Sequence, residues 1–176
     1  MTLPHASRLT PHAEEGTTLI ETLIALFVLG IAVSGLLGMV TMTAKLTEDQ
    51  GHLAARATEY AQDKMEQLLA LAYGDVTSNT AVFPATPNGG TGLAVGGSSN
   101  AAAPAGGYVD WLDGSGNLLA VNGTAAPNGW FYKRVWQVTN PSANLKQITV
   151  TTVVAFSMSR TMVPQATLTA LKTSPF

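Results

Sequence analysis

The pattern of hydrophobic and polar positions is dominated by an uncharged stretch from Thr22 to Ala44. Its centre, from Leu23 to Val40, consists of apolar residues and glycine apart from a single serine. As an α-helix this stretch would be about 34 Å long, which is enough to cross a hydrocarbon core of about 30 Å. The pattern therefore predicts a transmembrane helix over about residues 22–44.

Two other interpretations of this stretch fit the sequence less well. A secretory signal peptide has a shorter apolar region that ends at a small-residue cleavage site, whereas charged, helix-forming sequence follows Ala44 directly. A helix buried inside a soluble domain would have to be surrounded by other chain, and residues 75–176 are too few to surround it.

The spacing becomes that of an amphipathic helix between Lys45 and Tyr73. Small or apolar residues recur at intervals of three, four and seven, which places them on one helical face. The recurring positions are Leu46, Leu53, Ala57, Tyr60, Ala61, Met65, Leu68 and Leu71. We assign the charged residues Asp63, Lys64 and Glu66 to the opposite side. Gly74 follows the last periodic position and is suited to end the helix as its C′ residue.

Residues 75–107 contain almost no charge and many turn-forming residues, including Asn88-Gly89-Gly90 and Gly96-Gly97-Ser98-Ser99. A loop of this length inside a compact domain is commonly either functional or disordered. We predict a partly ordered, variable surface loop, with a flexible linker as the alternative.

From Gly107 onwards the pattern has the period of two that is typical of β-strands. It predicts a hairpin of residues 108–113 and 118–121, long strands over 130–139 and 145–156 joined by a turn at Asn140–Asn144, and a last strand near 165–172. The fold class predicted is α+β, with a long N-terminal helix over 17–74 whose second half packs on a small antiparallel sheet formed by residues 108–176. The other face of the sheet would be left to solvent or to neighbouring molecules.

Composition excludes several classes of function. With 9 basic and 11 acidic residues, the chain lacks the clustered positive charge of a nucleic-acid-binding protein. The absence of cysteine excludes disulfides, thiolate metal sites and thiol nucleophiles. His52 is the only histidine after residue 16, and a single histidine does not supply a His-based zinc site or a Ser-His-Asp triad. We therefore predict no enzyme, no metal and no cofactor, with His52 a solvated surface residue.

One cluster of oxygen-bearing side chains, Asp110, Asp113, Ser115 and Asn117, is a candidate for a calcium loop. It lacks the alternating acidic residues and the terminal bidentate glutamate of an EF-hand. We therefore expect a hairpin turn here. The three tryptophans, at positions 111, 130 and 136, are interpreted as core or subunit-contact residues.

Glu21 interrupts the apolar character of the first helix. A carboxylate at the centre of a bilayer costs on the order of 2.5–3.5 kcal/mol on insertion scales, and less near the interface. Such a residue is usually retained for a charged partner. The alternative is a glutamate at the N-terminus of a helix, where the helix dipole and the headgroups stabilise it.

The residues around Glu21 resemble the prepilin motif of type IV pilins and type II secretion pseudopilins. The matching segment is Gly16-Thr17-Thr18-Leu19-Ile20-Glu21-Thr22-Leu23-Ile24-Ala25-Leu26. The resemblance implies that prepilin peptidase cuts after Gly16, removes residues 1–16 as a leader peptide and methylates the new amine of Thr17. Glu21 is then the fifth residue of the mature chain, and its carboxylate pairs with the N-terminal amine of a neighbouring subunit in a helix bundle of low dielectric.

Two further segments, Ala54–Leu68 and Arg134–Thr151, resemble PilV-like minor pilins. Together with the motif they imply a minor pilin, a structural subunit that primes or assembles a type IV pilus. The implied partners are prepilin peptidase, other pilin subunits, the pilus assembly platform and the inner membrane. The domain would be periplasmic before assembly and part of an extracellular filament, or fimbrium, afterwards.

Two other functions remain open at this stage. A minor pseudopilin of a type II secretion system would have the same fold and the same assembly chemistry. A singly anchored periplasmic binding module would hold its ligand in the loop region. The long neutral loop and the PilV-like sheet sequence favour the minor pilin.

Overall fold

The structure is a computed structural model that describes residues 17–155 and 163–175, with side chains from residue 19 onwards. Within these ranges one helix is followed by six strands, and the chain divides into two compact units that meet in sequence between Lys45 and Leu46. The elements are α1 (Thr17–Ala70), β1 (Gly96–Gly97), β2 (Val109–Leu112), β3 (Leu118–Val121), β4 (Tyr132–Ser142), β5 (Leu145–Val154) and β6 (Gln165–Thr173). The predicted α+β arrangement is confirmed.

The part of α1 that belongs to the second unit packs on the sheet through the predicted face. Its buried apolar residues are Ala57, Ala61, Met65 and Leu68, which follow the spacing of one helical stripe. Lys64 was expected on the opposite side, and this expectation is wrong, because the lysine lies within the stripe and is fully buried. The reason is a set of buried acceptors, supplied by Asp110 on the sheet and by Thr80 in the loop that follows the helix.

The helix ends at Ala70, before the predicted end at Tyr73. The N–H of Leu71 bonds the carbonyl of Leu68, three residues earlier, which tightens the last turn. Lys172 then donates to the carbonyl of Leu69 at 2.6 Å and Lys146 to that of Tyr73 at 2.8 Å. Lysine side chains from the sheet thus satisfy carbonyls near the end of the helix, a role for which Gly74 is not needed.

The sheet is antiparallel and has the strand order β3-β2-β4-β5-β6, with β1 paired to β4 outside this path. The hairpin of β2 and β3 and the last strand lie where they were predicted. β4 begins at Tyr132 rather than Trp130 and continues through Pro141 to Ser142, so the turn to β5 is shorter than predicted. A register shift between Thr139 and Ser142 accommodates the proline, which cannot donate to a regular ladder. Phe156, the predicted end of β5, lies outside the described residues.

The face of the sheet away from α1 is covered in part, at β2, β3 and β4, and is exposed at β6, so the expectation of one free face holds only for part of the sheet. On the side of α1, Trp136, Val138, Ile148 and Val150 form the main core with the helix. On the other side, a second cluster is formed by Val109, Trp111 and Val135 with Ala101, Ala120 and Trp130 packed against them. The predicted surface loop, residues 75–107, therefore supplies structural residues. Leu93 in this loop is fully buried in the main core.

The division of the chain predicts that residues from about Lys45 to Phe176 fold without the apolar segment. The fragment of residues 45–176 should give a circular dichroism spectrum of mixed helix and sheet and a cooperative thermal transition. A spectrum of unfolded chain would contradict the division.

Within that fragment, two adjacent leucines provide a matched pair. Leu68 is fully buried and Leu69 is 36% exposed. Leu68→Ala should lower the free energy of unfolding by about 2–5 kcal/mol, because it leaves a cavity in the main core. Leu69→Ala should lower it by less than about 1 kcal/mol, measured by urea denaturation. Equal losses would show that the helix packs on the sheet through a different face.

Candidate functional site

The three predicted site residues belong to the beginning of α1. Gly16 lies outside the described residues. Thr17 is the first described residue and is already helical, and Glu21 follows within the next turn. The side chain of Glu21 is exposed.

The first unit exposes an apolar surface on every side of the helix. Fifteen large apolar side chains between Leu19 and Met42 are 45–71% exposed. A fully exposed apolar helix is unfavourable in water, since burial is worth about 25 cal/mol per Å² of apolar surface. By length and composition this helix can cross a membrane. This surface is stable in an apolar environment, either in lipid or against other apolar helices.

The hydroxyl groups of the same segment are satisfied within the helix. Thr22, Ser34, Thr41 and Thr43 each donate to a backbone carbonyl three or four residues earlier, at 2.7–3.0 Å. Bonds of this kind remove the need for water, which the interior of a bilayer does not provide. The polar residues other than Glu21 are therefore compatible with lipid as they stand.

Glu21 is the exception, because it is the only charged residue between Leu19 and Ala44. Among the side chains that the structure describes, none forms an ion pair with it. A carboxylate in an apolar environment needs a cation or a proton to be stable. The segment from Leu19 to Ala44 thus presents one charge that requires compensation, at the fifth position from Thr17.

A second set of charges is buried between the helix and the sheet, and sequence reasoning missed it as a unit. Lys64 on α1 and Arg134 on β4 both donate to Oδ2 of Asp110 on β2, each at 2.9 Å. Asp110 and Arg134 lie opposite each other in the β2–β4 register. The side chains of all three are at most 5% exposed. We call these three residues the buried charge network.

Lys64 makes further contacts that stabilise its ammonium group. Its Nζ donates to the Thr80 carbonyl at 3.1 Å and to the Thr80 hydroxyl at 2.8 Å. It also lies 4.1 Å from the centre of the Trp136 ring, a distance typical of a cation–π interaction. Burial lowers the pKa of Lys64 from 10.5 to about 8, although the carboxylate of Asp110 opposes this shift. The loop residue Thr80 thereby holds residues 75–107 to the helix.

Arg134 completes the connection between the sheet and the helix. Its guanidinium group donates to Asp63 at 2.6 Å and to the Tyr60 carbonyl at 3.4 Å, both on α1. The side chain of Asp63 is half exposed, so this contact lies at the edge of the network. Because both cations bind the carboxylate of Asp110, the arrangement joins α1 to β2 and β4.

The sequence contained a signal for this network. Ala57, Ala61, Lys64 and Leu68 are separated by four, three and four residues, so the lysine falls on the core stripe. Arg134 likewise alternates in phase with the aromatic residues of β4. A charge on a core stripe is buried only when an opposite charge meets it, and that pairing depends on tertiary structure.

The candidate calcium cluster is divided between two environments. Asp110 belongs to the buried charge network, whereas Asp113 organises the β2–β3 turn. The carboxylate of Asp113 accepts from the N–H groups of Ser115 at 2.8 Å and Asn117 at 2.9 Å. Hydrogen bonds from Asn117 lower the pKa of Asp113. The predicted hairpin turn is confirmed. In the described part of the chain, no group of three or more His, Asp or Glu residues is placed to hold a metal ion.

The remaining predicted residues lie as follows. His52 is exposed, with its ring 3.9 Å from Glu48, which confirms it as a surface residue. Trp111 and Trp136 are buried. Trp130 is half-buried and packs edge-on against Trp111 at 4.9 Å between ring centres, so all three indoles contribute to packing.

Comparison with known proteins adds no assignment. No family model matches the chain, and neither a curated protein nor a solved structure matches it.

Removing the central carboxylate of the network should be strongly destabilising. Asp110→Asn leaves two buried cations with reduced compensation, and breaking a buried pair typically costs about 3–5 kcal/mol. Glu66→Gln is the control, because it also replaces a carboxylate by an amide but at an exposed position of α1, and we expect a loss within about 0.5 kcal/mol. Urea denaturation of the 45–176 fragment measures both. Equal, small effects would show that Asp110 does not bind the cations.

The lowered pKa of Lys64 predicts a pH dependence of stability. Between the folded pKa of about 8 and the unfolded value of 10.5, the unfolded chain binds more protons than the folded chain. The free energy of unfolding should therefore rise with pH in this interval. Below pH 8 the Lys64 amine is charged in both the folded and the unfolded chain and does not change the free energy of unfolding with pH.

Lys64→Met isolates this effect from other groups that titrate at alkaline pH. Burial raises the pKa of Tyr108 and Tyr132, which lowers stability near pH 10 in both proteins alike. The difference in unfolding free energy, wild type minus variant, should therefore increase between pH 8 and 10. Parallel curves over that interval would refute the proposed burial of a charged Lys64.

Proposed function

We propose that this chain is a minor pilin, a structural subunit that takes part in priming or assembling a type IV pilus. The observation that supports this most directly is the combination found in α1. An uncharged helical segment exposes apolar side chains on all sides and carries one carboxylate, Glu21, at the fifth position from Thr17. The same helix then packs on a small antiparallel sheet through its second part.

The apolar segment suits a subunit that moves from a membrane into a helix bundle. Lipid tails and leucine side chains are equally apolar, so helix association in such an environment depends on packing and on polar contacts. Fifteen exposed apolar residues can be covered in either setting. The hydroxyl groups are already bonded within the helix, so they need no further partner in either a membrane or a helix bundle.

Glu21 provides the specificity that a uniform apolar surface lacks. In the proposed assembly, its carboxylate pairs with the amine of Thr17 on an adjacent subunit after prepilin peptidase has removed residues 1–16. A buried ion pair is strongly destabilised when one partner is missing, so the pairing favours one axial position between neighbouring helices. The inner membrane holds the subunit before assembly, and the pilus assembly platform and other pilins are its partners during assembly.

A minor pseudopilin of a type II secretion system would use the same helix and the same Glu21. The two systems differ in where the assembled subunit is found. A minor pilin is expected in sheared surface filaments, whereas a pseudopilin, whose short filament is periplasmic, is expected to remain with the cell envelope. This distribution decides between the two functions.

Replacement of Glu21 tests the assembly role. Glu21→Ala should leave membrane insertion intact or improved, because it removes a charge from the apolar segment. Incorporation into filaments should fall by about 100-fold, the factor that corresponds to a loss of about 3 kcal/mol. Glu21→Gln retains the shape but loses the charge and should behave similarly. The measurement is the ratio of this subunit in sheared filaments to that in membranes.

Glu48→Ala is the control, since Glu48 is an exposed glutamate on the same helix, beyond the apolar segment. It should assemble at the wild-type ratio. If both Glu21 variants also did so, Glu21 would be only a helix-start residue at the membrane interface.

Processing gives a separate test of the family assignment. Mass spectrometry of the subunit from filaments should show a methylated N-terminus at Thr17. Gly16→Leu should yield a full-length protein that stays in the membrane and is not assembled. An N-terminus at Met1 in purified filaments would overturn the proposal.

A further inference from the structure

Strand β6 forms one free edge of the sheet. It is the last strand in the order β3-β2-β4-β5-β6, and among the described residues it pairs only with β5. The β5–β6 register continues without a shift from Leu145↔Thr173 to Val153↔Gln165. The β5–β6 ladder is therefore regular along the nine residues of β6.

The hydrogen-bonding pattern identifies which backbone groups of β6 point away from the sheet. Val154 donates to the carbonyl of Pro164 at 3.3 Å, and Ser174 donates to that of Asn144 at 2.9 Å. Because bonded pairs recur at every second residue of an antiparallel ladder, the even-numbered residues of β6 bond to β5. The odd-numbered residues direct N–H and C=O outwards, and their side chains are exposed as well. These are Gln165, Thr167, Thr169, Leu171 and Thr173.

This edge lacks the features that normally prevent strand pairing. Natural edge strands are blunted by charges, prolines, bulges or short length. The one charged residue of β6, Lys172, is directed to the helix, where its Nζ bonds the carbonyl of Leu69 at 2.6 Å. Pro164 and Pro175 lie just outside the strand. The outward N–H and C=O groups form a template for another extended strand.

We propose that β6 pairs antiparallel with β6 of a second copy of this chain, about a twofold axis at Thr169. The other edge of the sheet, β3, has only four residues, so of the two sheet edges that the structure describes only another β6 matches the length of the template. When Thr169 faces Thr169 of the second copy, all five outward residues of β6 are paired with outward residues of the other β6. The contact does not depend on the pilin assignment.

The register that results is compatible in charge and side-chain size. Gln165 lies opposite Thr173 of the second copy, and Thr167 lies opposite Leu171. Lys172 lies opposite Ala166, so no like charges face each other, an arrangement that would be unfavourable across paired strands. The threonines that lie on the exposed face have high β-propensity.

The absence of cysteine allows a direct test with single cysteines in the full chain, in its membrane. Paired residues of this kind have Cα atoms about 5.5 Å apart, within the disulfide range of about 4.4–6.8 Å. Thr169→Cys should therefore form disulfide-linked dimers under mild oxidation. In this register Thr167 lies four residues, about 14 Å, from Thr167 of the second copy. Thr167→Cys should therefore form at least about tenfold fewer disulfide-linked dimers than Thr169→Cys.

Mixing two variants tests the register. Thr167→Cys and Leu171→Cys chains should link to each other when expressed together, although neither should link to itself. Leu119→Cys, at the exposed opposite edge, measures linking by random collision. The proposal is wrong if Thr169→Cys links no more than Leu119→Cys, or if Thr167→Cys links as much as Thr169→Cys.

Thr169→Pro separates pairing from folding. The N–H of Thr169 points away from β5, so a proline there removes an outward donor and leaves the β5–β6 ladder intact. Introduced into both members of the Thr167→Cys and Leu171→Cys pair, it should abolish the link while the thermal transition of the full chain in detergent is retained. A link that persists at the original level would overturn the proposed pairing.

Discussion

The packing of the helix on the sheet depends on the burial of Lys64, Asp110 and Arg134 between them. Charges removed from water are tolerated only when every partner is present, and here each partner comes from a different element. A shift of one residue in β2 or β4 would turn Asp110 or Arg134 to the other face of the sheet. The network therefore permits one register of the strands and one rotation of the helix, whereas apolar contacts alone would tolerate small displacements. Thr80 extends the same constraint to the loop, because it supplies two of the acceptors for Lys64.

A single helix in this chain is adapted to two different environments. From Leu46 to Ala70 it buries one stripe and exposes charged residues elsewhere, as expected for a helix in water. From Leu19 to Ala44 it is apolar on all sides and satisfies its hydroxyls internally, as expected for a helix in lipid or among other helices. Glu21 fits neither description without a partner. A surface that is uniform except for one carboxylate suits repeated assembly, because apolar packing provides affinity and the charge fixes the axial position of each subunit.

Residues 75–107 show how a segment rich in turn formers can be part of a core. Gly97 has a φ of +82°, and a side chain there would collide with the carbonyl of Trp136. Glycine is thus required for the short strand β1 to pair with β4. The same loop buries Leu93 in the main core and closes the second cluster with Ala101. Among the described residues it packs on the sheet without pairing with β6, the edge for which we propose a contact between copies.

The sequence by itself determined the helix, its uncharged segment, the hairpin, the last strand and the α+β class, because each depends on periodicity or turn chemistry within a short window. It also singled out Glu21, since a charge in an apolar run is visible without a structure. It did not determine that Lys64 is buried, that residues 75–107 pack on the sheet, or that β4 continues past Pro141. These features depend on which residues meet across the fold: an opposite charge for Lys64, a carbonyl close to Gly97, and a bulge beside a proline. Only the tertiary structure decided them, because the free energy of a buried charge or a close backbone contact is set by its partner and not by its neighbours in sequence.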